Sequence, residues 1–168
     1  TARGERIDAC HCPLRPQPRH CPGRATRAAN PPIAQGTPMT ADAPALDTLR
    51  NRTFDEIAVG DSASLERSLT AEDIQLYAVM SGDVNPTHVD HEYASSSRYS
   101  GVIAHGMWGA SLISALLGTR LPGPGTHYLG QTLEFLEPVR IGDTLTVTVT
   151  VTARDPSTQQ VTLHCRCV

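Results

Sequence analysis

The sequence contains no lysine, and all 14 of its basic residues are arginine. Six of these arginines lie in residues 1–38, where Glu5 and Asp8 are the only acids, so this segment has a net charge of +4. The remaining residues hold eight arginines against 15 acids and have a net charge of −7. An acidic body without a basic stripe argues against nucleic-acid binding.

Cysteine is missing from the whole stretch between residues 22 and 164, although the chain has five cysteines in total. A disulfide framework would distribute its cysteines through the domain, so this pattern favours a reducing, cytoplasmic setting. The sequence also lacks the roughly 18 consecutive apolar residues of a membrane-spanning helix. It has no secretory signal, and we expect no membrane partner.

Large apolar residues are scarce in residues 1–53, and the first 38 of these residues include seven prolines. Such a segment cannot bury enough surface to offset the entropy lost on ordering, so we predict that it is disordered. Because Met39 is the first methionine, a non-native origin of residues 1–38 is one hypothesis. Two others are an Arg-rich targeting peptide, disfavoured by the acids and prolines, and a zinc site with non-standard spacing at Cys10, His11, Cys12, His20 and Cys21.

Residues 54–168 have the patterning of one domain whose strands follow its main helix. Alternation of apolar and polar residues predicts strands over 62–69, 128–135, 143–153 and 161–168. The last of these strands would expose an unpaired edge, so we expect the sequence to be truncated inside its final hairpin. Strands that follow a buried helix indicate an α+β architecture.

The helices are indicated by caps and by periodicity. Thr70 and Asp73 have the spacing of a capping box that opens a helix ending at Gly82. A short helix is expected over residues 91–96. Residues 107–117 are almost wholly apolar or small, which predicts a helix buried on all sides and closed by the glycine that follows.

The densest polar cluster reads Ser-Gly-Asp-Val-Asn-Pro-Thr-His-Val-Asp over residues 81–90. Gly82 and Pro86 restrict this loop, so the side chains of Asp83 and His88 can face a common point. An ionised aspartate and a neutral histidine can bind a water, orient it and move its proton. On spacing alone the plainer interpretation stays open, in which Asp83 caps the loop and His88 lies on the surface.

A second candidate feature is the pair His105-Gly106, which opens the apolar helix. Unpaired N–H groups at a helix start favour negative charge, and a glycine lets a substrate approach the backbone closely. This arrangement suits an oxyanion such as the enolate of a thioester.

Other kinds of site fit the sequence poorly. Ser111 and Ser114 are not surrounded by the Gly-x-Ser-x-Gly pattern of a nucleophile elbow. His88, Asp90 and His91 lack the further ligand group that a metal site needs. No glycine-rich phosphate loop is present.

Together these motifs resemble the MaoC-like (R)-specific enoyl-CoA hydratases. The resemblance is carried by Tyr-Ala-Val-Met-Ser-Gly-Asp-Val-Asn-Pro-Thr-His-Val-Asp over residues 77–90 and Ile-Ala-His-Gly-Met over residues 103–107. Residues 121–125, 128–131 and 135–143 resemble the later strands of the same family. The resemblance covers about residues 54–168.

The resemblance implies a hot-dog fold, in which an antiparallel sheet wraps around a central helix near residues 106–117. It implies a homodimer that binds acyl-CoA near the subunit interface and needs no metal or redox cofactor. Water would add to trans-2-enoyl-CoA, reversibly, to give (R)-3-hydroxyacyl-CoA. The family's catalytic residues fall on Asp83 and His88, and its oxyanion donor falls on the Gly106 N–H. Asn85 would shape the active loop, and Ser114 would face the pocket.

Two alternative functions stay open. A hot-dog thioesterase would hydrolyse the acyl-CoA instead of hydrating it. A non-catalytic module would bind acyl-CoA or mediate assembly, for instance within a longer protein fused to an acyltransferase domain. The intact Asp83, His88 and Gly106 favour a hydratase over both.

Overall fold

The computed structural model describes residues 49–168 and the backbone of residues 7–15. Its five strands form one antiparallel sheet in the order β2-β4-β5-β1-β3. The strands are β1 (Ile7–Arg15), β2 (Ser62–Ser68), β3 (His127–Tyr128), β4 (Thr144–Asp155) and β5 (Gln160–Cys167). The predicted strands at β2, β4 and β5 are confirmed.

The longest strand of the sheet is β4, which pairs with β2 on one side and β5 on the other. Its sequence alternates between threonine and a larger apolar residue, so the apolar side chains all point to one face. These side chains, Leu145, Val147, Val149 and Val151, are almost completely buried. The alternation therefore gives the sheet one face that packs on the core and one that is partly open.

Four helices lie between β2 and β3. They are α1 (Ala71–Ser81), α2 (Pro86–Val89), α3 (His91–Ser96) and α4 (Gly106–Thr119). The capping box of Thr70 and Asp73 opens α1, and Gly82 ends it in the left-handed conformation at φ 75°, as predicted. One antiparallel sheet with a long helix packed on its inner face confirms the predicted α+β class.

Helix α4 packs against β4 and β2 through one face only. The core includes Trp108, Ile113, Leu116 and Leu117 from this helix. The opposite face is exposed and carries the residues Met107, Ser111, Ser114, Ala115 and Gly118. The prediction of a helix buried on all sides is wrong for the single chain, because small residues were counted together with large apolar ones.

The end of α4 also differs from the prediction. Gly118 lies inside the helix, and the cap is Arg120, whose backbone N–H donates to the Leu116 carbonyl. A glycine can adopt ordinary helical geometry, so its presence near a helix end does not by itself end the helix.

Strand β1 lies within the segment for which the sequence predicted disorder. Its backbone pairs with β5, for example Ile7 with Cys167, and also with β3. Backbone hydrogen bonding does not depend on large apolar side chains, which is why composition gave no sign of it. The prediction of disorder fails for residues 7–15, and residues 1–6 and 16–48 lie outside the described residues.

The strand predicted over residues 128–135 is mostly wrong. Only His127 and Tyr128 form a strand, and residues 129–134 follow without ladder pairing. Alternating residues are compatible with any extended chain, whereas a strand also needs a neighbour. Among the helices of the described part, none is long and apolar enough to cross a membrane.

Candidate active site

The loop between α1 and α2 holds Asp83 beside the end of α1. Its backbone N–H donates to the Ser81 hydroxyl at 3.2 Å, and the Ser81 hydroxyl in turn donates to the Tyr77 carbonyl at 2.7 Å. The Asp83 carboxylate accepts from the Asn85 backbone N–H at 3.2 Å. The loop is thus fixed on both sides of Asp83, whose side chain is exposed.

Asn85 is the N-cap residue of α2, directly before the first residue of the helix. Its side-chain oxygen accepts from the Thr87 backbone N–H at 3.1 Å and from the Thr87 hydroxyl at 2.9 Å. Pro86, at the first position of α2, has a backbone φ suited to a helix start. The loop that carries Asp83 therefore passes directly into the helix that carries His88.

The ring of His88 is oriented by a main-chain carbonyl. His88 Nδ1 lies 2.9 Å from the Ile103 oxygen. A carbonyl oxygen only accepts hydrogen bonds, so Nδ1 carries the proton and donates. In the neutral ring the lone pair is then on Nε2, which makes Nε2 the basic nitrogen of this side chain.

His105 is buried between Asp83 and His88. Its Nε2 lies 2.9 Å from the Asp83 carbonyl oxygen, and its ring stacks on the His88 ring with centroids 4.0 Å apart. The Tyr77 ring also lies beside the His105 ring, with 5.0 Å between the two ring centroids. His105 is 2% exposed and caps α4 without a side-chain hydrogen bond to that helix.

Asp83, His88 and His105 form the one group in the described residues with the composition of a metal site. One candidate ligand atom of each lies within 4.8 Å of the others. The two histidines each direct one ring nitrogen at a main-chain carbonyl, His88 at that of Ile103 and His105 at that of Asp83.

A cavity of about 420 Å³ adjoins His88 and the start of α4. Gly106, the first residue of α4, lines it together with Ile103, Ala104, Met107, Phe135, Leu136 and Pro138, and with the polar residues Arg98, Tyr99 and Glu137. The Gly106 N–H is among the first donors of α4, where no side chain of the described residues caps the helix. The lining is mainly apolar, with a basic ring nitrogen and a helix start on the same wall.

Gly106 has no room for a side chain. A Cβ atom there would lie 3.0 Å from Phe135 Cε1 and 3.1 Å from Phe135 Cδ1. The Phe135 ring thus lies against the start of α4, and a side chain at position 106 would require the ring or the helix start to shift by a few tenths of an ångström.

The structure brings together three of the five residues that the sequence singled out. Asp83 and His88 are neighbours, and Gly106 lies on the same cavity wall as His88. Asn85 acts on the loop through its cap. Ser114 is exposed on the outer face of α4 and is not one of the residues that line the cavity.

Sequence reasoning gave no role to His105 or Phe135. The sequence indicated His105 only as the neighbour of Gly106. A further signal for a role of its side chain was its place directly before the apolar helix, where a buried polar side chain must find a partner inside the protein. Phe135 gave no signal, because it is 29 residues from Gly106 in the chain and reaches it only in the fold.

An antiparallel sheet packed on one long helix, with Asp83 on the loop after α1 and His88 on the short helix α2 that follows it, defines a hot-dog domain with a polar site at the start of the long helix. Comparison with known families agrees with this class: residues 57–165 match the family model described as MaoC like domain. The chain belongs to the MaoC-like domain family.

Two relatives illustrate how far the similarity extends. The (R)-specific enoyl-CoA hydratase of Rhodospirillum rubrum is 50% identical over 121 residues, which cover 72% of this chain and 84% of the relative. The 3-hydroxybutyryl-CoA dehydratase of Methylorubrum extorquens is 42% identical over 122 residues, covering 73% of this chain and 78% of the relative.

Solved structures show the same fold. An R-hydratase of Pseudomonas aeruginosa, in its unliganded form, superposes with a TM-score of 0.60 at 40% identity and covers 68% of this chain and 83% of its own. The (R)-hydratase of Aeromonas caviae, described as involved in PHA biosynthesis, has a TM-score of 0.59 at 36% identity and covers 66% and 94%.

Proposed function

We propose that this protein catalyses the reversible hydration of trans-2-enoyl-CoA to (R)-3-hydroxyacyl-CoA. The observation that carries the proposal is the orientation of His88, whose Nδ1–H is held by the Ile103 carbonyl so that Nε2 is free to act as a base. The relatives named enoyl-CoA hydratase and hydroxybutyryl-CoA dehydratase support it, since both names describe addition or removal of water.

In the proposed reaction, the Asp83 carboxylate and His88 Nε2 bind one water between them. As the water oxygen attacks C3 of the enoyl thioester, its proton passes to this pair and the C2–C3 double-bond electrons move toward the thioester oxygen. A proton then returns to C2, which gives the 3-hydroxyacyl product. Water adds across the double bond without oxidation or reduction, so the step requires no redox cofactor, and the proposed reaction uses Asp83, His88 and the Gly106 N–H in place of a metal.

The negative charge that develops on the thioester oxygen needs a donor. We assign this role to the Gly106 N–H at the start of α4, where the helix dipole also favours negative charge. The cavity beside it is apolar enough to hold an acyl group, and its low polarity strengthens a hydrogen bond to the oxyanion. Asn85 keeps the Asp83 loop in place through its hydrogen bonds to Thr87.

We propose further that the active form is a homodimer with acyl-CoA bound near the interface between subunits. Support comes from a run of exposed apolar side chains beside the Asp83 loop, Leu76, Val79, Met80 and Val84. Exposed apolar patches of this kind mark interaction surfaces. The domain comprises residues 54–168, and the absence of cysteine through most of it supports a cytoplasmic location.

One assay tests the activity against its alternatives. The protein is incubated with crotonyl-CoA while the absorbance of the enoyl thioester and the release of free thiol are followed together. Loss of absorbance without thiol is expected for hydration. Release of thiol would show thioester hydrolysis, and no change in either signal would show a binding module; both outcomes would overturn the proposal.

A further inference from the structure

His105 is a buried side chain that the proposed reaction does not use. It is 2% exposed, and it lies between the backbone of Asp83 and the ring of His88. Burying an imidazole removes it from water, which is unfavourable unless its polar atoms are satisfied. Only one of its two nitrogens has a hydrogen-bond partner among the described residues, because Nδ1 has none.

The partner of the other nitrogen fixes the protonation of the ring. Nε2 faces the Asp83 carbonyl at 2.9 Å, and a carbonyl cannot donate, so Nε2 carries a proton. A proton on Nδ1 would leave a buried donor without a hydrogen-bond partner among the described residues. The geometry therefore directs the Nε2 proton of His105 at the main chain of Asp83.

The two contacts of His105 act on both catalytic groups. The hydrogen bond ties the Asp83 main chain to the residue before α4, and the stacked face limits where the His88 ring can lie. Because residue 105 directly precedes Gly106, the same side chain links the loop to the oxyanion donor.

We propose that His105 is a positioning residue, which sets the separation between Asp83, His88 and the Gly106 N–H through its Nε2–H bond and its ring face. This inference rests on the proposed hydratase function. A misplacement of catalytic groups by about 1 Å can lower a rate by about 10²-fold. The effect is expected on kcat, with KM for crotonyl-CoA little changed, since His105 does not line the substrate cavity.

Two amide variants separate the hydrogen bond from general polarity. The amide nitrogen of glutamine reaches about as far from Cβ as histidine Nε2, whereas that of asparagine reaches only as far as Nδ1. His105→Gln can therefore keep the bond to the Asp83 carbonyl, and His105→Asn cannot. His105→Phe keeps a stacking ring without any donor.

We expect His105→Asn and His105→Phe to lose about 10²-fold in kcat and His105→Gln to recover at least about tenfold of that loss, at similar KM. Equal kcat values in the Gln and Asn variants, or wild-type kcat in the Asn or Phe variant, would overturn the proposal. Melting temperatures of all three variants identify any that fail to fold.

A measurement on the unaltered protein keeps the proposal testable if the variants unfold. The Nε2–H of His105 should give a slowly exchanging imidazole proton signal in NMR spectra, with a cross-peak to the backbone of the Asp83 loop. A rapidly exchanging proton, or a proton on Nδ1, would overturn the proposal. If the wild-type protein does not hydrate crotonyl-CoA at all, it is the proposed function that fails, whatever the NMR signal shows.

Discussion

Asp83 and His88 differ in how firmly the protein holds them. The His88 ring is fixed by the Ile103 carbonyl and by stacking on His105, whereas the Asp83 side chain accepts only the Asn85 N–H among the described residues. In the proposed mechanism the two groups therefore contribute differently: His88 would present a lone pair in a set direction, and Asp83 would bring a charge that can adjust to the water.

Removing either group should stop the proton transfer. We expect Asp83→Asn and His88→Gln each to lower kcat for crotonyl-CoA hydration by about 10²- to 10⁴-fold, the range for loss of general acid–base catalysis. His91→Gln and Asp55→Asn are matched controls at exposed positions outside the site, and they should keep wild-type rates. Undiminished turnover in Asp83→Asn or His88→Gln, measured by loss of enoyl absorbance, would disprove the mechanism.

Gly106 offers a second test, in which one methyl group is added to the start of α4. The added methyl group of Gly106→Ala would lie about 3.0 Å from the Phe135 ring, which is closer than ordinary van der Waals contact. We expect a lower kcat/KM, because the ring or the helix start must shift. Adding Phe135→Leu should restore part of the loss.

The control for this substitution lies in the same helix. A Cβ at Gly118 would meet nothing within 4 Å, so Gly118→Ala should raise the free energy of unfolding by about 0.5–1 kcal/mol and leave activity unchanged. The measurements are denaturant unfolding and the crotonyl-CoA assay. If Gly106→Ala were as active as Gly118→Ala, close contact with Phe135 would have no functional effect.

At the scale of residues, the sequence predicted that Asp83 and His88 lie close together but not how they are held. The order Asp-x-Asn-Pro-x-His lies within one short stretch of loop and helix start, so local turn chemistry was enough to bring its members together. The carbonyl of Ile103 and the rings of His105 and Phe135 come from more distant parts of the chain. Their contacts depend on the packing of α4, which no local pattern specifies.

At the scale of elements, helix α1 depends on its first turn. The pKa of the Asp73 carboxyl is lowered: burial acts to raise it, but hydrogen bonds from Thr70 and the guanidinium of Arg67 outweigh burial. A carboxyl whose pKa is lower in the folded state stabilises the fold above its unfolded pKa, and this contribution is lost as the pH falls through the folded value.

This sign leads to a prediction about acid. Asp73→Asn should reduce the free energy of unfolding by about 1 kcal/mol at neutral pH, as for loss of a helix cap. Below about pH 4 the difference from wild type should begin to shrink, because the unfolded carboxyl is then protonated, and it should vanish once the pH falls below the lowered pKa of the folded state. Glu72→Gln removes a charge from the same turn without these hydrogen bonds. A difference in the free energy of unfolding that does not depend on pH would contradict the role of the Asp73 carboxylate in the capping box.

The elements also show where sequence patterns mislead. The beginnings of α1, α3 and α4 were predicted well, because caps such as Thr70 are local, but α2 lies in a segment that was predicted to be a loop. The end of α4 and the strand at residues 128–135 were not, since both depend on which neighbour the backbone meets. The alternation of apolar and polar residues identified β4 and β5, which pair with each other. It did not identify β1, whose composition is unlike that of a strand.

At the scale of the whole molecule, the exposed face of α1 is the clearest sign of a partner. Val79 is 85% exposed and Met80 is 74% exposed, next to the loop that carries Asp83. A stable interface usually buries about 800 Å² on each subunit, which requires an apolar centre of this kind. A second copy of the chain is the partner proposed above.

A charge placed on this face should separate the subunits. Val79→Glu is expected to convert a dimer to a monomer in sedimentation analysis, because the carboxylate would have to be buried at the interface. Val59→Glu makes the same change at a residue 60% exposed in the turn before β2, and it should leave the dimer intact. A wild-type protein that sediments as a monomer would rule out the dimer directly.

Trp108 is the only tryptophan of the chain, and at 6% exposed it lies in the core on the first turn of α4. Its backbone N–H donates to the His105 carbonyl at 2.9 Å. The intrinsic fluorescence of this protein therefore comes from a single indole at the helix start that forms the site. Its emission wavelength can follow local loosening there without a dye or label, while circular dichroism follows the rest of the fold.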